Sequence, residues 1–398
     1  MPISTASSSP CTAASPMPST PERKPLHIVH TEASQGWGGQ EIRILTEAQG
    51  MLARGHRVTL LTPPGARIFA AARERGIAVQ AMPFEKKSLK GVLAMRRWLR
   101  NNPCDVINTH SSTDSWLVGL AQVAGAHRVP VVRTRHISAH VTNRWTTRWL
   151  YASASDRVVT TGERLRVALV QGLALPPQHV VSIPTGIDLA RYSRAAARPR
   201  DAVRAELGLP ADALVIGIAA TLRSWKGHDY LLEAFAGLAE KFPAARLLVV
   251  GDGPRREHLE ERIAASGLGE RVRLIGHRDD VPDVLGAMDV FALPSYANEG
   301  VPQAIMQAMA MELPVVSTTV GSIDEAVEDG VTGYLVEPKN VGQLTERLTS
   351  LLGSAELCRH MGAAARKRAE TRFSLGAMVD AMEEVFYRLL AKRSDVVT

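Results

Sequence analysis

The chain has 398 residues, of which 45% are hydrophobic and 22% are charged, and its formal net charge is +7. The length accommodates two ordinary domains, and the composition is that of a globular protein rather than of a disordered or fibrous one. No apolar run is long enough to cross a bilayer, and the three cysteines lie far apart without the spacing of a metal site. We therefore expect no membrane-spanning helix and no disulfide framework, and the reducing cytoplasm as the location.

The positive charge is concentrated in the first half of the chain. Residues 26–190 contain 20 lysines and arginines but only 10 aspartates and glutamates. This surplus indicates either an anionic partner, such as an acidic saccharide or the inner face of a membrane, or simply the charge of a soluble surface. Because no nucleic-acid-binding motif accompanies the charge, we expect no nucleic acid as a partner.

Residues 1–24 consist mainly of serine, threonine, proline and alanine, and they contain almost no large apolar side chain. Such a segment cannot bury enough surface to offset the entropy that is lost on ordering, so we expect a disordered tail. It also lacks the apolar core of a secretory signal.

From Leu26 onwards, short apolar strands alternate with helical segments. The first strand, Leu26–Thr31, precedes the glycine-rich segment Gln35–Gln40 and a helix that ends at Gly55. A glycine turn between a strand and a helix is suited to binding phosphate, although the same turn occurs in α/β proteins without that role. Further strands are expected at Val58–Thr62, Ile77–Met82, Val106–Thr109, Val129–Thr134 and Val158–Thr161. This spacing predicts a parallel, doubly wound sheet.

Two histidines follow strands of this expected sheet. His110 comes directly after Val106–Thr109, and His136 lies just beyond Val129–Thr134. Functional residues of doubly wound sheets lie at the carboxyl ends of the strands, so both positions suit a site. A single histidine at such a position is equally compatible with a structural role.

The segment Asn143–Tyr151 carries two aromatic and two basic residues at helical spacing. Trp145 and Trp149 are four residues apart and share a helical face, as do Arg144 and Arg148. We expect both aromatic rings to pack into the core. The alternative is a surface helix that contacts an acceptor or lipid headgroups.

A second series of strands and helices begins at Leu214–Ala219, after the segment Ala190–Arg200, which has no periodicity and is expected to be a linker. Arg223 and Lys226 follow this strand and precede a helix N-terminus. Two cations beside the positive end of a helix dipole are unfavourable unless an anion binds there, whereas solvent screens them at an ordinary surface. The pattern indicates either a phosphate site or two solvated side chains.

The strand Asp289–Pro294 runs into the segment Ser295–Gln307, which ends in another helix. Glu299 lies between the strand and the helix. Gly300 allows the backbone to turn, and Pro302 suits the first helical turn. A carboxylate beside the backbone amides of a helix N-terminus suits a ligand that combines hydroxyl groups with phosphate.

Ser295–Gln307 resembles the signature of the retaining glycosyltransferases of family 4, in which a glutamate is followed eight positions later by a second one. The first is Glu299 here, and Gln307 stands at the second position, where its amide can still accept and donate hydrogen bonds. Other segments similar to the family occur in order between Leu26 and Phe373. The resemblance implies the GT-B fold, an α/β architecture in which two doubly wound, Rossmann-like domains face each other across a cleft.

The resemblance also implies a division of the chain. We expect an acceptor-side domain at residues 26–190 and a nucleotide-sugar-binding domain at residues 201–373. A last helix, residues 374–392 with Ser374 as its N-cap, would return and pack on the first domain. The donor would then bind mainly to the second domain, and the acceptor to the basic first one.

The family implies roles for the matching positions. Arg223 and Lys226 would neutralise the leaving diphosphate. Glu299 would bind hydroxyls of the donor sugar, His110 would lie near that sugar, and Gln307 would contact the ribose. The expected catalytic residues are Glu299, Arg223, Lys226 and His110. The expected donor-binding residues are Gly38, Gly39, Arg223, Lys226, Arg278 (beside the nucleobase), Glu299, Gly300, Val301 and Gln307.

No Asp-x-Asp motif occurs in the sequence, so we expect no metal ion and no cofactor other than the nucleotide-sugar co-substrate. The implied function is transfer of a sugar to a saccharide or lipid-linked acceptor, with retention of configuration, in bacterial cell-surface polysaccharide or lipopolysaccharide synthesis. Two alternatives stay open. A sugar-nucleotide epimerase of the same fold would need further acid–base carboxylates in the cleft, and a non-catalytic saccharide-binding protein would keep the fold with a decayed site.

Overall fold

The computed structural model describes residues 23–123, 128–136 and 141–397. The tail expected at residues 1–24 therefore lies, apart from its last two residues, outside the described residues. The strands of the described chain form two sheets, and every pairing between neighbouring strands is parallel. None of the described helices is both long and apolar enough to span a membrane.

The first sheet has seven strands in the order β3-β2-β1-β4-β5-β6-β7. These strands are β1 (His27–Thr31), β2 (Arg57–Thr62), β3 (Ala78–Ala81), β4 (Val106–Thr109), β5 (Val131–Arg135), β6 (Arg157–Thr160) and β7 (Val180–Ser182). The helices between them are α1 (Gly39–Ala53), α2 (Arg67–Glu74), α3 (Leu89–Asn101), α4 (Ser112–Gln122), α5 (Trp145–Ala152) and α6 (Glu163–Leu173). The predicted doubly wound sheet is confirmed.

The second sheet has six strands in the order β10-β9-β8-β11-β12-β13. These strands are β8 (Leu214–Ala219), β9 (Ala245–Val250), β10 (Val272–Leu274), β11 (Val290–Leu293), β12 (Val315–Thr318) and β13 (Gly333–Val336). The remaining helices are α7 (Arg200–Glu206), α8 (His228–Ala239), α9 (Arg256–Ala265), α10 (Val281–Gly286), α11 (Gln303–Ala310), α12 (Ile323–Ala326), α13 (Val341–Leu352), α14 (Ala355–Arg372) and α15 (Leu375–Val397). Helices pack against the sheets, so the central strands of each sheet are buried along most of their length.

Different helices cover the two faces of the first sheet. Because side chains alternate along a strand, Ile28 and Leu60 face one layer while Val29 and Leu61 face the other. The first layer consists of α1, α2 and α15. The second layer consists of α3 and α4 and continues with α5 and α6 over β6 and β7.

Helix α15 returns to the first sheet after the second one is complete. Ser374 caps it, because its Oγ accepts a hydrogen bond from the N–H of Ala377 at 3.2 Å. Phe386 is buried in the same apolar cluster as the inner face of α1. The two helices approach closely at Gly50, where a Cβ atom would lie 2.5 Å from Val379 Cγ2. The exact domain boundaries stay a prediction.

The segment expected to be a linker is fastened to the second half of the chain. Residues 189–197 form turns, and Tyr192 is buried in the core of the second half. Arg198 pairs with Asp283 and with Glu206, each at 2.8 Å. Arg198 thus ties this segment to the neighbouring helices α7 and α10 through ion pairs.

Helix α5 differs from the expectation that both of its tryptophans lie in the core. Trp149 is half-buried and its ring lies 5.2 Å from that of Trp116 on α4. Trp145 is 81% exposed, so the expectation is wrong for this residue. The reason is that α5 is short and is anchored only by its last turn, where Leu150 and Tyr151 are buried.

Candidate active site

Glu299 lies at the carboxyl end of β11 and is almost completely buried, with 4% of its surface exposed. Its Oε1 is 2.6 Å from the Nζ atom of Lys226 and accepts a hydrogen bond from Ser295 Oγ at 2.7 Å. A buried carboxylate is tolerated when it is paired and hydrogen-bonded in this way. Among the described residues nothing donates a hydrogen bond to Oε2, so this oxygen stays available to a ligand.

The loop after β12 holds the backbone of Glu299 in place. Gly321 has a φ of +62°, and a Cβ atom there would clash with the Glu299 carbonyl oxygen. Ser322 donates its N–H to the Gly300 carbonyl at 3.4 Å. Asn298, just before the glutamate, has a φ of +58°, in the left-handed region that asparagine tolerates better than most residues. The carboxylate is therefore presented by a closely packed turn.

Lys226 reaches Glu299 because the loop after β8 packs on the loop after β11. Residues 224–226 form one turn of 3₁₀-helix, and Gly227 follows with a φ of +79°. A side chain on Gly227 would clash with the Pro294 carbonyl oxygen. The two loops are joined by a hydrogen bond of 2.8 Å from the N–H of Tyr296 to the Trp225 carbonyl.

Arg223 is exposed, and its guanidinium lies 5.2 Å from the centre of the Trp225 ring. No carboxylate of the described residues forms an ion pair with it. His228, which sequence reasoning missed, begins α8 and is buried, and burial together with the charge of Lys226 lowers its pKa to about 4. The ends of β8 and β11 therefore bring together the predicted residues Arg223, Lys226 and Glu299, with a net positive charge.

Helix α11 joins this group to the glycine loop of the first sheet. It begins at Gln303, one residue later than expected, because Pro302 has extended geometry and precedes the helix. Gln303 donates its side-chain amide to the Gly39 carbonyl at 2.9 Å. Gln307 lies one turn further along and is half-buried. Sequence reasoning missed Gln303, although its spacing of four residues from Gln307 indicates that both lie on one helical face.

Three of the expected donor-binding positions have no polar side chain to offer to a ligand. Gly38 is the N-cap of α1 and has no side chain to cap the helix. Gly300 packs across the cleft, where a Cβ atom would lie 2.7 Å from Thr161 Oγ1. Val301 is buried in the core of the second half, so its side chain faces apolar neighbours rather than the cleft. At these positions only backbone groups could contact a ligand, and the close approach to Thr161 requires a glycine at Gly300.

Arg278 is engaged by carboxylates outside the Glu299 group. Its guanidinium pairs with Asp280 at 2.5 Å and with Glu206 at 2.8 Å, and these partners raise its pKa. It follows β10, the edge strand, which β9 and β8 separate from β11. The structure therefore does not bring Arg278 together with Glu299.

Three histidines, of which His30 and His110 are buried and His136 is half-buried, form a hydrogen-bonded chain in the first half. His30 Nδ1 lies 2.9 Å from His110 Nε2, and His110 Nδ1 lies 3.0 Å from His136 Nε2. Burial lowers the pKa of His30 to about 3, and burial also lowers the pKa of His110 and His136, so all three are neutral near pH 7. Both nitrogens of His110, the predicted catalytic histidine, are thus occupied by its neighbours. His30 went unnoticed in the sequence because it lies inside a strand.

A group of basic side chains lines the same end of the first sheet. Arg133 is 4% exposed, stacks on the Tyr151 ring at 4.5 Å and donates to the Ser111 carbonyl at 3.3 Å. Burial and the charge of Arg133 lower the pKa of Lys87. Within the described chain Arg133 has no ion-pair partner, and its Nε is buried without a hydrogen bond. Such a group is suited to an anion.

The described residues contain no group of three histidine, cysteine, aspartate or glutamate side chains that is placed to hold a metal ion. Arg223, Lys226 and Glu299 form one group of charges at the ends of β8 and β11, and Arg133 with Lys87 forms a second group in the first half. The arrangement can therefore bind an anion on each side of the cleft and sugar hydroxyls between them.

Two families match adjacent segments of the chain: residues 37–191 match Glycosyltransferase Family 4, and residues 199–368 match Glycosyl transferases group 1. The D-inositol 3-phosphate glycosyltransferase of Nocardia farcinica is 30% identical over 392 residues, covering 86% of this chain and 84% of that protein. The corresponding protein of Rhodococcus opacus is 30% identical over 414 residues, covering 92% of this chain and 91% of that protein.

Solved structures share the arrangement of the two sheets. A glycosyltransferase from Rickettsia africae has a TM-score of 0.82 at 21% identity, covering 92% of this chain and 99% of that one. The Anabaena protein HepE, solved in complex with UDP-glucose, has a TM-score of 0.80 at 22% identity, covering 91% and 100%. The expected GT-B fold is confirmed. The chain belongs to the group 1 and family 4 glycosyltransferases and is a glycosyltransferase.

Proposed function

We propose that this glycosyltransferase moves a sugar from a nucleotide-sugar donor to a saccharide or lipid-linked acceptor with retention of configuration. The observation that carries the proposal is the ion pair of Lys226 and Glu299 at 2.6 Å, beside which Arg223 has no ion-pair partner among the described residues. The Lys226–Glu299 pair has no net charge and suits the hydroxyls of a neutral sugar. The cation of Arg223 suits the anionic diphosphate to which that sugar is attached.

In the proposed reaction the bond between the anomeric carbon and the diphosphate oxygen breaks, and its electron pair stays on the diphosphate. Arg223 and Lys226 stabilise this developing charge, since Lys226 has further N–H donors besides the one directed at Glu299. Glu299 Oε2 accepts hydrogen bonds from hydroxyls of the donor sugar. The acceptor oxygen then bonds to the anomeric carbon, and its proton passes to the leaving phosphate oxygen.

A covalent intermediate of the glycosidase type would require a second carboxylate at the anomeric carbon. Position 307, where the family has a second glutamate, holds a glutamine, and Glu299 is held by Lys226 and Ser295. These contacts support attack from the face that the diphosphate leaves, without a covalent enzyme intermediate. Gln307 would contact the ribose in this arrangement.

The basic group around Arg133 supports an acceptor with an anionic substituent. Arg133 is buried without a carboxylate partner among the described residues, and an uncompensated buried charge is unfavourable unless an anion binds. Relatives named D-inositol 3-phosphate glycosyltransferase have a phosphorylated polyol in their name. We infer a phosphorylated or acidic saccharide, which in a lipid-linked form is a substrate of cell-surface polysaccharide or lipopolysaccharide synthesis at the cytoplasmic face of a membrane.

The proposal is tested by incubating the purified protein with a panel of nucleotide sugars, beginning with UDP-glucose, and recording the melting temperature. A donor that binds the folded state raises it. The stabilising donor is then combined with phosphorylated and neutral sugar acceptors, and the product's anomeric configuration is determined by NMR.

Each alternative has its own outcome in this experiment. Conversion of the donor sugar without any acceptor would establish the epimerase, and donor binding without any turnover would favour the non-catalytic protein. An inverted product would contradict the retaining mechanism while leaving the transferase intact. Equal rates with phosphorylated and neutral acceptors would contradict only the inference that the acceptor is anionic, and the transferase would stand.

A further inference from the structure

The outer surface of the first half carries an unusual number of exposed apolar side chains. Large hydrophobic residues that are exposed include Leu89 at 74% and Leu93 at 56% on α3, Trp145 at 81% on α5, and Leu120 and Val123 at the end of α4. These three helices lie side by side in the second layer of the first sheet. We call their outward face the α3–α5 surface.

The apolar residues of α3 share its exposed face with cations. Met95 and Trp98 point into the core, whereas Leu89, Leu93 and Arg97 follow one another at intervals of four residues on the opposite side. Lys90 and Arg100 are exposed on the same side, one to two turns from Leu93. The helix is therefore amphipathic, with leucines and basic side chains together on the side that faces solvent.

The α3–α5 surface is free of exposed acidic residues. Neither α3 nor α5 contains an aspartate or glutamate, and Asp114, which is the acidic residue of α4, is fully buried. Residues 85–104 contain six lysines and arginines and one acid, Glu85, which is exposed in the turn before α3. Arg144, the N-cap of α5, and Arg148 are exposed on one face beside Trp145. The whole face therefore presents positive charge around protruding apolar side chains.

Aromatic side chains connect the outer helices across α4. The Nζ atom of Lys87 lies 5.2 Å from the centre of the Trp116 ring, and that ring lies 5.2 Å from Trp149, one turn after the exposed Trp145. Tight packing brings the helices together, since a Cβ atom on Gly91 of α3 would lie 3.0 Å from Leu117 of α4. Leu89 and Trp145 are the first residues of α3 and α5, at the ends that follow the carboxyl ends of the strands, so this part of the surface borders the candidate site, whereas Leu120 and Val123 lie at the opposite end of α4.

We propose that the α3–α5 surface docks the protein on an anionic lipid bilayer. Leucine and tryptophan side chains insert at the level of the headgroups, and the flanking lysines and arginines contact anionic lipid phosphates. The exposed Trp145 and the adjacent rings of Trp116 and Trp149 suit this interface, where tryptophan is enriched in membrane proteins. Docking on this face brings the cleft border to the membrane, where a lipid-linked acceptor would be found.

Charge complementarity favours a lipid surface over a second copy of this chain. A symmetric dimer through this face would bring the basic side chains of both copies against one another, which is unfavourable. Its apolar part also consists of a few separate side chains rather than the continuous core of a stable interface. An anionic bilayer meets both requirements, since it supplies negative charge and accommodates separate apolar anchors.

The test is co-sedimentation of the full chain with vesicles of phosphatidylcholine alone and of phosphatidylcholine mixed with phosphatidylglycerol. We expect binding to the mixed vesicles only, and a loss of binding at high salt. The variant Lys90→Gln/Arg97→Gln should bind the mixed vesicles about tenfold or more weakly, because two charges at the lipid surface are lost. Leu93→Ser/Trp145→Ser should weaken binding to a similar degree by removing the inserted side chains.

The matched control is Arg67→Gln/Arg73→Gln, which removes two exposed charges from α2 in the opposite layer and should leave binding unchanged. All variants change exposed residues, so their melting temperatures should equal that of the wild type. Absence of wild-type binding, equal binding to both kinds of vesicle, or equal losses in the control would overturn the proposal. So would a dimer in sedimentation analysis that Leu93→Ser/Trp145→Ser dissociates. Vesicle binding needs neither donor nor acceptor, so it stands or falls separately from the proposed reaction.

Discussion

The carboxylate of Glu325 caps a helix that belongs to the other half of the chain, since it accepts a hydrogen bond from the backbone N–H of Glu163 at 2.8 Å. Its second oxygen accepts from the N–H of Arg164 at 3.1 Å. Helix α6 has no side-chain cap of its own, because Gly162 occupies its N-cap position. Glu325 lies on α12, directly after the loop that packs on Glu299, so it connects the site to the contact between the two halves.

Replacing Glu325 by alanine should loosen this contact. The first amides of α6 lose their acceptor, which costs about 1 kcal/mol and lowers the melting temperature. The two halves should also separate further on average, which small-angle scattering detects as a larger radius of gyration. Glu337→Ala, an exposed glutamate of the second half, is the control. An unchanged radius and melting temperature would show that the cap does not hold the halves together.

Replacing Lys226 by alanine should nearly abolish transfer, and it should also lower the melting temperature because the buried carboxylate of Glu299 loses its partner. The loss of a charge-assisted contact to the leaving diphosphate should raise the barrier by about 2–4 kcal/mol. The measurement is the turnover number with a verified donor, compared with Lys241→Ala, which removes an exposed lysine from the second half. Turnover near the wild-type value in Lys226→Ala would refute the assignment of the diphosphate site.

Glu299 and Gln307 should respond differently to substitution. Glu299→Gln should lower the turnover number more than it raises the Michaelis constant, because hydrogen bonds to the donor sugar strengthen in the transition state. Gln307→Ala should raise the Michaelis constant with turnover nearly unchanged, since a ribose contact forms equally in the ground state. Gln307→Glu should be tolerated because an acceptor is retained.

Steady-state kinetics of these three variants with one donor decides the roles of the two positions. A silent Glu299→Gln together with a Gln307→Ala that destroys turnover would reverse them. If all three variants had wild-type kinetics, the segment from Ser295 to Gln307 would be structural, and the proposed function would lose its support.

Transfer should persist in excess EDTA. The charge of the leaving diphosphate is assigned to Arg223, Lys226 and helix amides, so chelation should leave the rate within the error of the assay. The control is a second chelator of different structure, which separates chelation from direct inhibition. A loss of activity that Mg²⁺ or Mn²⁺ restores would contradict the metal-free mechanism.

Glu32 should make the protein less stable as the pH rises. Burial, together with the charge of Asp114, raises its pKa from 4.5 to about 8. Between these values the folded state holds a proton that the unfolded state has lost, so this group's contribution to the free energy of unfolding falls as the pH rises through the window. Glu32→Gln cannot ionise, and its melting temperature relative to the wild type should increase from about pH 5 to about pH 8.

A control variant and a contrary outcome make this measurement specific to the ionisation of Glu32. The exposed Glu74→Gln on α2 should show a difference from the wild type that does not change with pH. A constant difference for Glu32→Gln over the same range would show that Glu32 ionises at its ordinary pH in the folded protein.

Local sequence was sufficient for the sheets and for the main group of the site. Strands such as Val106–Thr109 are short apolar runs between turn residues, and this pattern depends on neighbours along the chain. Arg223, Lys226 and Glu299 could be placed together because parallel strands align their carboxyl ends at one edge. Each of these residues lies within a few positions of a strand end, so knowledge of the strands located them.

The remaining features depend on contacts between distant segments, which no local pattern records. Arg278 follows a strand in the expected way, but Asp280 and Glu206 hold it outside the group around Glu299. The histidine chain joins residues of three strands, and one member, His30, resembles any other position of a buried strand in sequence.

The exposure of Trp145 was likewise decided by the tertiary structure. A helical pattern states which residues share a face, but not how far along the helix its packing partner extends. Helix α5 is anchored through Leu150 and Tyr151, so its first turn projects beyond the buried part and exposes a tryptophan that periodicity alone assigns to the core. The sequence thus determined the elements and their order, while packing between them decided which side chains meet the ligand, the solvent or one another.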